Sequence, residues 1–576
     1  MLRPISRWGV IALVISLFTC SHREPAELVL LGGNIVTLDP DKPDATALAA
    51  REGRIVAIGG DEEIEPLIGK RTRVVRLHDD LVIPGFIESH GHIRNLGLLR
   101  LTVNLMATRS WDDVLAKVRE AAGKAKPGSW IFGRGWHQEM WDRPPAETVE
   151  GYPTNRMLDD AAQGHPVLLR HRSGHAAIAS TAALAAAGID GRTKDPEGGR
   201  IVRDHAGHAT GVLIENAEDA VAAAMEKAKA SRPQAEQDEE LTKAIEIAQD
   251  ECLSKGITTF EDAGLPLDTV DKIKAMALAG RLKMRFWMML RDDNARLAAR
   301  LPEYRLRGIA GGFFTVGGIK RQMDGALGSH GAWLLEPYDD DPSTRGLNTE
   351  PLGDIEEAAR LAIENGFQFC VHAIGDRANR ETLDLYERTF HKYPDKTSLR
   401  WRIEHAQLVS RVDLPRFFEL GVIASMQGVH CTSDGPWVPK RIGSARSREE
   451  AYLWRDLTDT GAVVCNGTDT PVEDVDPIAN FHASVTRLLP DGSVFYPYQR
   501  MTRALALRSY TVNAAYAAFE DDVKGSLMVG KLADIVILTK NILSIPDDEI
   551  ESAKVAYTIV GGKIVYRAAS PEAARN

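Results

Sequence analysis

Eight short apolar runs, most of them separated by helical stretches, constrain this chain more than any other feature. Such runs predict buried strands, and they occur at residues 83–89, 257–261, 284–290, 315–320, 368–372, 401–405, 422–426 and 463–468. Between two of them, residues 354–365 have helical character, and Gly366 follows at the position where helices commonly end. Strands that alternate with helices predict parallel βα units, so eight of them predict an α/β fold, a (β/α)8 TIM-like barrel.

Two further segments lie outside the regular alternation of the barrel, which we place at residues 83–519. Residues from about 100 to 245 are far too many for one crossover, so they predict a long insertion after barrel strand 1. Short strand-like runs fill residues 26–82 and 520–568. We expect these two ends to meet in one composite β-sandwich domain, with hairpin turns at Gly53-Arg54 and Gly562-Lys563.

Residues 1–20 read as a secretory signal peptide. Arg3 and Arg7 precede an apolar stretch of about ten residues, which is too short to span a bilayer. The signal ends in a sequence that resembles a bacterial lipobox, so Cys20 is a possible lipid anchor; the alternative is a cleaved signal with an incidental cysteine. We therefore expect an exported protein, either periplasmic or a membrane-anchored lipoprotein of a bacterium.

The net charge and the cysteines of the chain limit the kinds of partner and the disulfides that we expect. A formal net charge of -11 argues against nucleic acid, because phosphate binding requires a basic surface, and it leaves a small-molecule substrate as the expectation. The other four cysteines are widely spaced and predict buried free thiols, although an exported protein could pair two of them. Nothing in the sequence excludes an oligomer.

The first predicted strand ends in His90-Gly91-His92. Alternate residues of an extended chain share a face, so both imidazoles point the same way and form half of a site for a divalent metal. The alternative is that they are two polar residues of a loop. Active sites of such barrels lie at the C-terminal ends of the strands, where four more strands also end in groups that can bind a metal: Lys320, His372, His405 and Asp469.

Lys320 is the unusual member of this set, because an ammonium group has no lone pair. Desolvation at a barrel mouth lowers the pKa of a lysine, and the neutral amine can react with carbon dioxide. The product is a carbamate, an anionic ligand that can bridge two metals. The alternative is a cation that pairs with Asp324 or with a carboxylate of the substrate.

Several motifs together are specific for one family. They include PGFIESHGH, GRGWHQEMWD, LLRHRSGHA, KRQMDGALGSHGA, VHAIGDRA, RIEHAQ and NGTDTPVEDVDP, within matching stretches that run from about residue 28 to 565. The chain thereby resembles the amidohydrolase superfamily, and closely its amidohydrolase 3 family. The resemblance implies a metal-dependent hydrolase whose ligands are His90, His92, carboxylated Lys320, His372, His405 and Asp469.

The implied reaction is hydrolysis of a non-peptide C–N bond in an amide, formamide or cyclic amide. Two divalent metals, by default zinc, would lower the pKa of a shared water, and Asp469 would act as the catalytic base. A mononuclear site is the variant of this prediction. Two alternatives stay open: an ester or lactone hydrolase with the same metals, and an exported regulatory or binding protein with an inactive barrel.

Candidate substrate contacts come from the insertion and from the loops after strands 4 and 7: Trp136, His137, His175, His330, His430 and Asp434. For Trp136 the alternative is core packing, and for His175 it is a structural hydrogen bond. Glu88 replaces the usual Asp of the family, a conservative departure that points away from the ligands. Where this chain has His330 and His137, relatives often carry Arg and Asp, and these two departures argue against transferring a particular substrate from the family.

Overall fold

The computed structural model describes residues 24–569, apart from 79, 173, 174 and 197 and the side chain of residue 139. The predicted signal peptide and Cys20 therefore lie outside the described residues. Within the described part of the chain, no helix combines the length and the apolar character needed to cross a membrane. Four cysteines in this part, Cys252, Cys370, Cys431 and Cys465, are buried free thiols, as predicted.

The centre of the molecule is a parallel barrel, so the fold-class prediction is confirmed. Within the described residues, eight strands follow one another in chain order around it. We number them β1 Phe86–Gly91, β2 Ile257–Leu265, β3 Arg285–Leu290, β4 Phe314–Gln322, β5 Gln368–Ala373, β6 Arg402–His405, β7 Ile423–Met426 and β8 Val464–Asn466. Leu306–Gly308 adds a short antiparallel strand beside β4.

Backbone hydrogen bonds bring the two ends of this sheet together. The amide of Asp469 donates to the carbonyl of His90 at 2.8 Å, and the amide of His92 donates to the carbonyl of Thr470 at 2.8 Å. These two bonds join the end of β1 to the segment after β8. The nearly closed barrel therefore sets His90 and His92 directly against Asp469.

Helices connect the strands and cover the outside of the barrel. Because their apolar faces pack on the strands, the apolar core is continuous between the two layers. The described helices of this layer are Ile93–Arg100, Gln234–Ser254, Leu267–Leu278, Asn294–Arg300, Ile309–Gly312, Leu352–Asn365, Asp376–Lys392, Leu414–Glu419, Gly428–Asp434, Val438–Glu450, Trp454–Asp459, Pro477–Thr486, Arg503–Ser509 and Val512–Ala517.

The two ends of the chain form additional sheets beside the barrel. One sheet orders four strands as Arg54–Gly59, Ala47–Arg51, Leu28–Leu31 and Arg73–Arg76 among the described residues. The other mixes both termini in the order Lys563–Arg567, Val555–Val560, Ile535–Leu538, Leu81–Pro84, Asn34–Val36 and Asp44–Ala45. A short helix, Asp61–Ile64, packs on the first sheet.

A buried ion pair fastens this composite domain to the barrel. Arg285 of β3 donates through Nε and Nη2 to the two carboxylate oxygens of Asp534 at 2.6 and 2.9 Å, and both side chains are buried. The amide of Gly561 donates to the same carboxylate at 2.8 Å. The junction is thus satisfied by charge-assisted hydrogen bonds.

The insertion after β1 folds around a sheet of its own. Its described strands lie in the order Gly199–Arg203, Ala209–Glu215, Ala176–Ala179, Val167–His171, Ile131–Trp136 and Val103–Asn104, with a separate hairpin of Thr148–Val149 and Tyr152–Pro153. The helices Trp111–Lys124, Asn155–Ala162, Thr181–Ala186 and Asp219–Ala230 pack on it. Apolar clusters on both faces of this sheet give the insertion its own core.

Candidate metal centre

The C-terminal ends of the barrel strands bring histidines and a carboxylate together. Among the described residues, two groups of side chains have ligand atoms within 4.8 Å of one another and could hold a metal. The first consists of His90, His92 and Asp469, and the second of His405, His430 and Asp469. Asp469 thus stands between two sets of imidazoles at the mouth of the barrel.

Asp469 lies close to both histidines of β1. Its Oδ1 atom is 3.2 Å from Nε2 of His92 and 3.6 Å from Nε2 of His90. Both Nε2 atoms therefore point toward the same carboxylate oxygen, as the alternation of side chains along a strand predicts. A cation placed among these three atoms would be held by two nitrogens and one oxygen, a set that suits zinc and related divalent metals.

The other ring nitrogens of two histidines are already occupied. Nδ1 of His90 is 2.5 Å from Oε2 of Glu404, and Nδ1 of His405 is 2.7 Å from Oε1 of Gln427. A partner on one ring nitrogen fixes the orientation of an imidazole and leaves the other nitrogen for a metal. Glu404 and Gln427 therefore hold Nε2 of each histidine toward the mouth.

A chain of buried charges continues from Glu404 into the barrel. Arg402 lies below it, with Nε 2.9 Å from Oε1 of Glu404 and Nη1 2.5 Å from Oε2 of Glu261. Arg402 also donates to the carbonyl of Ser89 at 2.6 Å and to the hydroxyl of Ser425 at 2.8 Å. All three charged side chains are completely buried, so each depends on the others for compensation.

Burial sets the protonation of the site. It lowers the pKa of His372 and of His405 well below the usual range, and burial with the charge of Lys320 lowers that of His90 to about 4. Burial acts to raise the pKa of Asp469, yet the hydrogen bond with His92 and the nearby histidines hold it well below the usual range. His90, His372 and His405 are thus neutral and Asp469 is ionised at neutral pH, which are the forms that bind metal.

Two buried ring nitrogens that lack hydrogen-bond partners indicate whether a metal fits at the mouth of the barrel. Nε2 of His372 and Nε2 of His430 are buried and make no hydrogen bond with any described residue. Oδ1 of Asp324 lies 3.5 Å from Nε2 of His372. Since a buried polar atom without a partner costs free energy, and a neutral imidazole nitrogen is a common metal ligand, the residues present fit a divalent metal.

Lys320 lies at the same end of the barrel and is only 3% exposed. Burial lowers the pKa of its amine, although Glu404 and Asp469 act to raise it. Among the described residues no ion pair joins Lys320 to Asp324, and pairing with a carboxylate of the substrate stays the alternative. Within the described chain the Asp324 carboxylate instead accepts three backbone amides, from Trp333 at 2.8 Å, Ile374 at 2.9 Å and Gly375 at 2.8 Å.

Two residues of the site have backbone angles that L-amino acids rarely adopt. The φ angle is +76° at His405 and +56° at Asp469. His405 is the last residue of β6, Asp469 lies three residues after the end of β8, and both are buried. Unfavourable backbone of this kind persists only where surrounding contacts enforce it, and it is common at functional sites.

The pocket candidates after β4 and β7 lie in different surroundings. His430 belongs to the second group of possible ligands. Asp434, four residues later on the same helix, accepts a hydrogen bond from the Tyr452 hydroxyl at 2.7 Å. His330, in the loop after β4, has Nε2 2.9 Å from Oδ1 of Asp340 and packs its ring against Tyr338.

The candidates from the insertion have other partners. Trp136 is fully buried in the insertion core, where its indole donates to the carbonyl of Leu169 at 2.9 Å, so substrate contact by its ring is corrected to core packing. The His137 ring lies 4.5 Å from that of His171. His175 is exposed and lies 3.0 Å from Glu215, and its role in a pocket stays a prediction.

Several residues of the site were not predicted from the sequence. Arg402, Glu404 and Glu261 were assigned to buried strands without a function, and Gln427 was not considered. The available signal was the charge itself, because Arg and Glu within apolar strands of a barrel are expensive unless they are paired inside it. In RIEH, two charged residues, Arg402 and Glu404, lie within three positions before the predicted ligand His405.

Comparisons with known proteins show the family of the chain. A model of the amidohydrolase family matches residues 73–566. The chain is 34% identical over 560 residues to the protein LONG AFTER FAR-RED 3 of Arabidopsis thaliana, with 94% of this chain and 92% of that protein covered. It is 25% identical over 557 residues to the N-substituted formamide deformylase of Arthrobacter pascens, with 94% and 98% covered.

Solved structures include similar folds. An uncharacterized metal-dependent hydrolase from Pyrococcus furiosus is 27% identical and superimposes with a TM-score of 0.72. The similarity covers 90% of this chain and 100% of that one. The overall fold is therefore similar over most of this chain and over the whole of that hydrolase.

Proposed function

The chain belongs to the amidohydrolase family of metal-dependent hydrolases, and we propose that it cleaves a non-peptide C–N bond in a small amide, formamide or cyclic amide. The observation that carries the proposal is the position of Asp469 between two sets of imidazoles. A carboxylate in that position can serve both as a ligand and as a proton acceptor. The relationship to a formamide deformylase supports this bond class.

The cofactor we propose is a pair of divalent metals, zinc by default. His90 and His92 with Asp469 would hold one. His405, which shares a second group of possible ligands with Asp469, would hold the other, with His372 of β5 as a further predicted ligand. When bound, the metals supply Lewis acidity, which lowers the pKa of a water and polarises the substrate carbonyl. The proposal of two ions is supported by the two groups of possible ligand atoms, which have Asp469 in common.

Asp469 would then accept and return the proton that is transferred during the reaction. Its carboxylate is ionised at neutral pH, so it can accept a proton from the water that attacks the carbonyl carbon. As the C–N bond breaks, the same oxygen returns this proton to the leaving nitrogen. Gln427 and Glu404 meanwhile keep the His405 and His90 rings oriented.

For Lys320 we propose the carbamate. The side chain is buried at the barrel mouth, and it has no carboxylate of Asp324 to pair with, because that carboxylate is occupied by backbone amides. A carbamate would add two oxygens and a negative charge next to imidazoles that are neutral. Its formation requires only carbon dioxide and the loss of one proton from the amine.

The test is turnover by metal-loaded protein of a panel of N-formyl, N-acyl and cyclic amides, with the matching esters and lactones in parallel. Release of the amine from at least one amide, at a rate that depends on added metal, is the expected result. Turnover of esters or lactones alone would favour the alternative hydrolase. Tight metal binding with no turnover of any substrate would favour a regulatory or binding protein.

We also propose that the protein is exported and carries a lipid on Cys20. The support is the charged and apolar pattern of the first residues, which lie outside the described part of the structure. Expression in a bacterium with a radioactive fatty acid should label the wild type and leave Cys20→Ser unlabelled. Equal labelling of both would contradict lipidation at Cys20.

A further inference from the structure

The short helix that follows β7 carries a histidine whose role is not explained by hydrogen bonding. This helix, Gly428–Asp434, begins at the mouth of the barrel. Nε2 of His430 is buried and makes no hydrogen bond with a described residue. Its ring lies nearly parallel to that of His405, with centroids 6.2 Å apart and planes at 17°.

The start of this helix is held firmly against β8 and the helix behind it. The amide of Gly428 donates to Oδ1 of Asn466 at 3.0 Å, and the amide of Val429 donates to Oδ1 of Asn480 at 2.6 Å. A Cβ atom on residue 428 would lie 2.2 Å from Oγ of Ser484, so only glycine permits this approach. His430 is therefore placed by fixed backbone and not by a mobile loop.

The atoms around Nε2 of His430 limit the kind of ligand that this nitrogen can bind. A ligand nitrogen of His430, one of His405 and a carboxylate oxygen of Asp469 all lie within 4.8 Å of one another. His372, the other histidine expected beside His405, belongs to neither of the two groups whose ligand atoms lie within 4.8 Å of one another. Two imidazoles and one carboxylate are a common ligand set for a catalytic metal that keeps an open position.

We propose that His430 is a ligand of the second metal, which it binds together with His405 and Asp469. This inference rests on the proposed metal-dependent function and deepens it, because it adds His430 to the residues proposed to hold the second ion. It also makes the loop after β7 part of the metal centre. A ligand from that loop would couple the second ion to Asn466 and Asn480, which hold the helix.

The experiment measures metal binding in the absence of any substrate. Apo-protein is titrated with Co²⁺, and the bound equivalents, their dissociation constants and the visible absorption of the bound Co²⁺ are recorded. The variants are His430→Phe, which keeps a ring and removes both nitrogens, and the milder His430→Gln. Ser433→Ala, at an exposed position of the same helix, is the control.

We expect both His430 variants to bind the first equivalent of Co²⁺ as the wild type does. The second equivalent should bind at least about tenfold more weakly, because loss of a residue that only supports a ligand already costs about that much affinity. The Co²⁺ absorption should change in both variants and stay unchanged in Ser433→Ala. Wild-type affinity for both equivalents with an unchanged spectrum in either folded variant would overturn the inference. So would a single equivalent in the wild type that survives in both variants.

The outcome is separable from that of the proposed function. If the wild type binds Co²⁺ and the variants lose one equivalent, the inference stands even where no amide is hydrolysed. If amides are hydrolysed and the variants bind Co²⁺ normally, only the inference fails. Thermal unfolding of each variant identifies a protein that has not folded, in which case the His430→Gln variant decides.

Discussion

Oε2 of Glu404 lies 2.5 Å from Nδ1 of His90, and Arg402 holds the other side of the same carboxylate. Burial acts to raise the pKa of Glu404, but the charge of Arg402 and the contact with His90 hold it well below the usual range. Glu404 is thus an ionised group whose position fixes the ring of a predicted metal ligand. The strength of the metal centre should depend on a residue that does not touch the metal.

Substitution of Glu404 by Gln should therefore weaken metal binding. The carboxamide keeps the size of the side chain but removes the charge that orients His90, and loss of such a partner typically costs about 10- to 100-fold in metal affinity. Competition with a chelator measures the dissociation constant. Glu419→Gln, at an exposed glutamate, is the matched control, and equal affinity in the two variants would contradict the role of Glu404.

Asp469→Asn should remove turnover and retain metal. Asparagine keeps an oxygen ligand but cannot accept the proton, and general base catalysis contributes about 10²- to 10⁴-fold to rates. Steady-state kinetics on the best amide, with elemental analysis of the same sample, measures both quantities. Activity within threefold of the wild type at full metal content would show that another group takes the proton.

Lys320→Ala should lose metal if the lysine carries a carbamate. The small side chain leaves room for a short carboxylic acid, so added acetate or propionate should restore part of the metal content and of the activity. Lys320→Arg, which keeps a charge and cannot form a stable carbamate, should not be rescued. Metal content that is unchanged in Lys320→Ala would refute the bridging role.

The stability of the fold should fall as the pH rises through the range in which Glu450 ionises. Burial and the charge of Asp376 raise the pKa of Glu450 from 4.5 to about 7. Between these values the folded state binds more protons than the unfolded state, so the free energy of unfolding decreases with increasing pH. The stability that protonated Glu450 contributes to the folded state is complete below pH 4.5 and lost above about pH 7.

Glu450→Gln isolates this effect, because glutamine does not ionise. The melting temperature of the variant relative to the wild type should rise between pH 5 and pH 8, by on the order of 1 °C in a chain of this size. Calorimetry at both pH values measures the difference, and Glu419→Gln again serves as the control. A difference that is constant with pH would mean that Glu450 is ionised in the folded state at both values.

The barrel could be predicted because its strands are apolar runs with a regular alternation. Both faces of a parallel strand are buried, so β5 and β7 are visible as short stretches that are mostly apolar. The internal order of the insertion was not predicted, because its strands are short and pair in an order that differs from their order in the chain. Such pairings depend on contacts distant in the sequence.

The candidate metal centre was predicted only in part for a similar reason. His90 and His92 lie at the end of a recognisable strand, so their place followed from the position of β1. His430 lies beyond the end of β7, on a helix whose direction is set by Asn466 and Asn480. Those hydrogen bonds join residues up to 51 positions apart, and no local pattern reveals them.

The pairing of the terminal strands has a consequence for biosynthesis. Leu81–Pro84, the strand that leads into β1 and His90, pairs on one side with Ile535–Leu538. A ribosome must therefore have made nearly the whole chain before this sheet can be completed. A premature stop codon between residues 470 and 534 would produce a polypeptide that contains every predicted ligand and still lacks the strand that supports the first two.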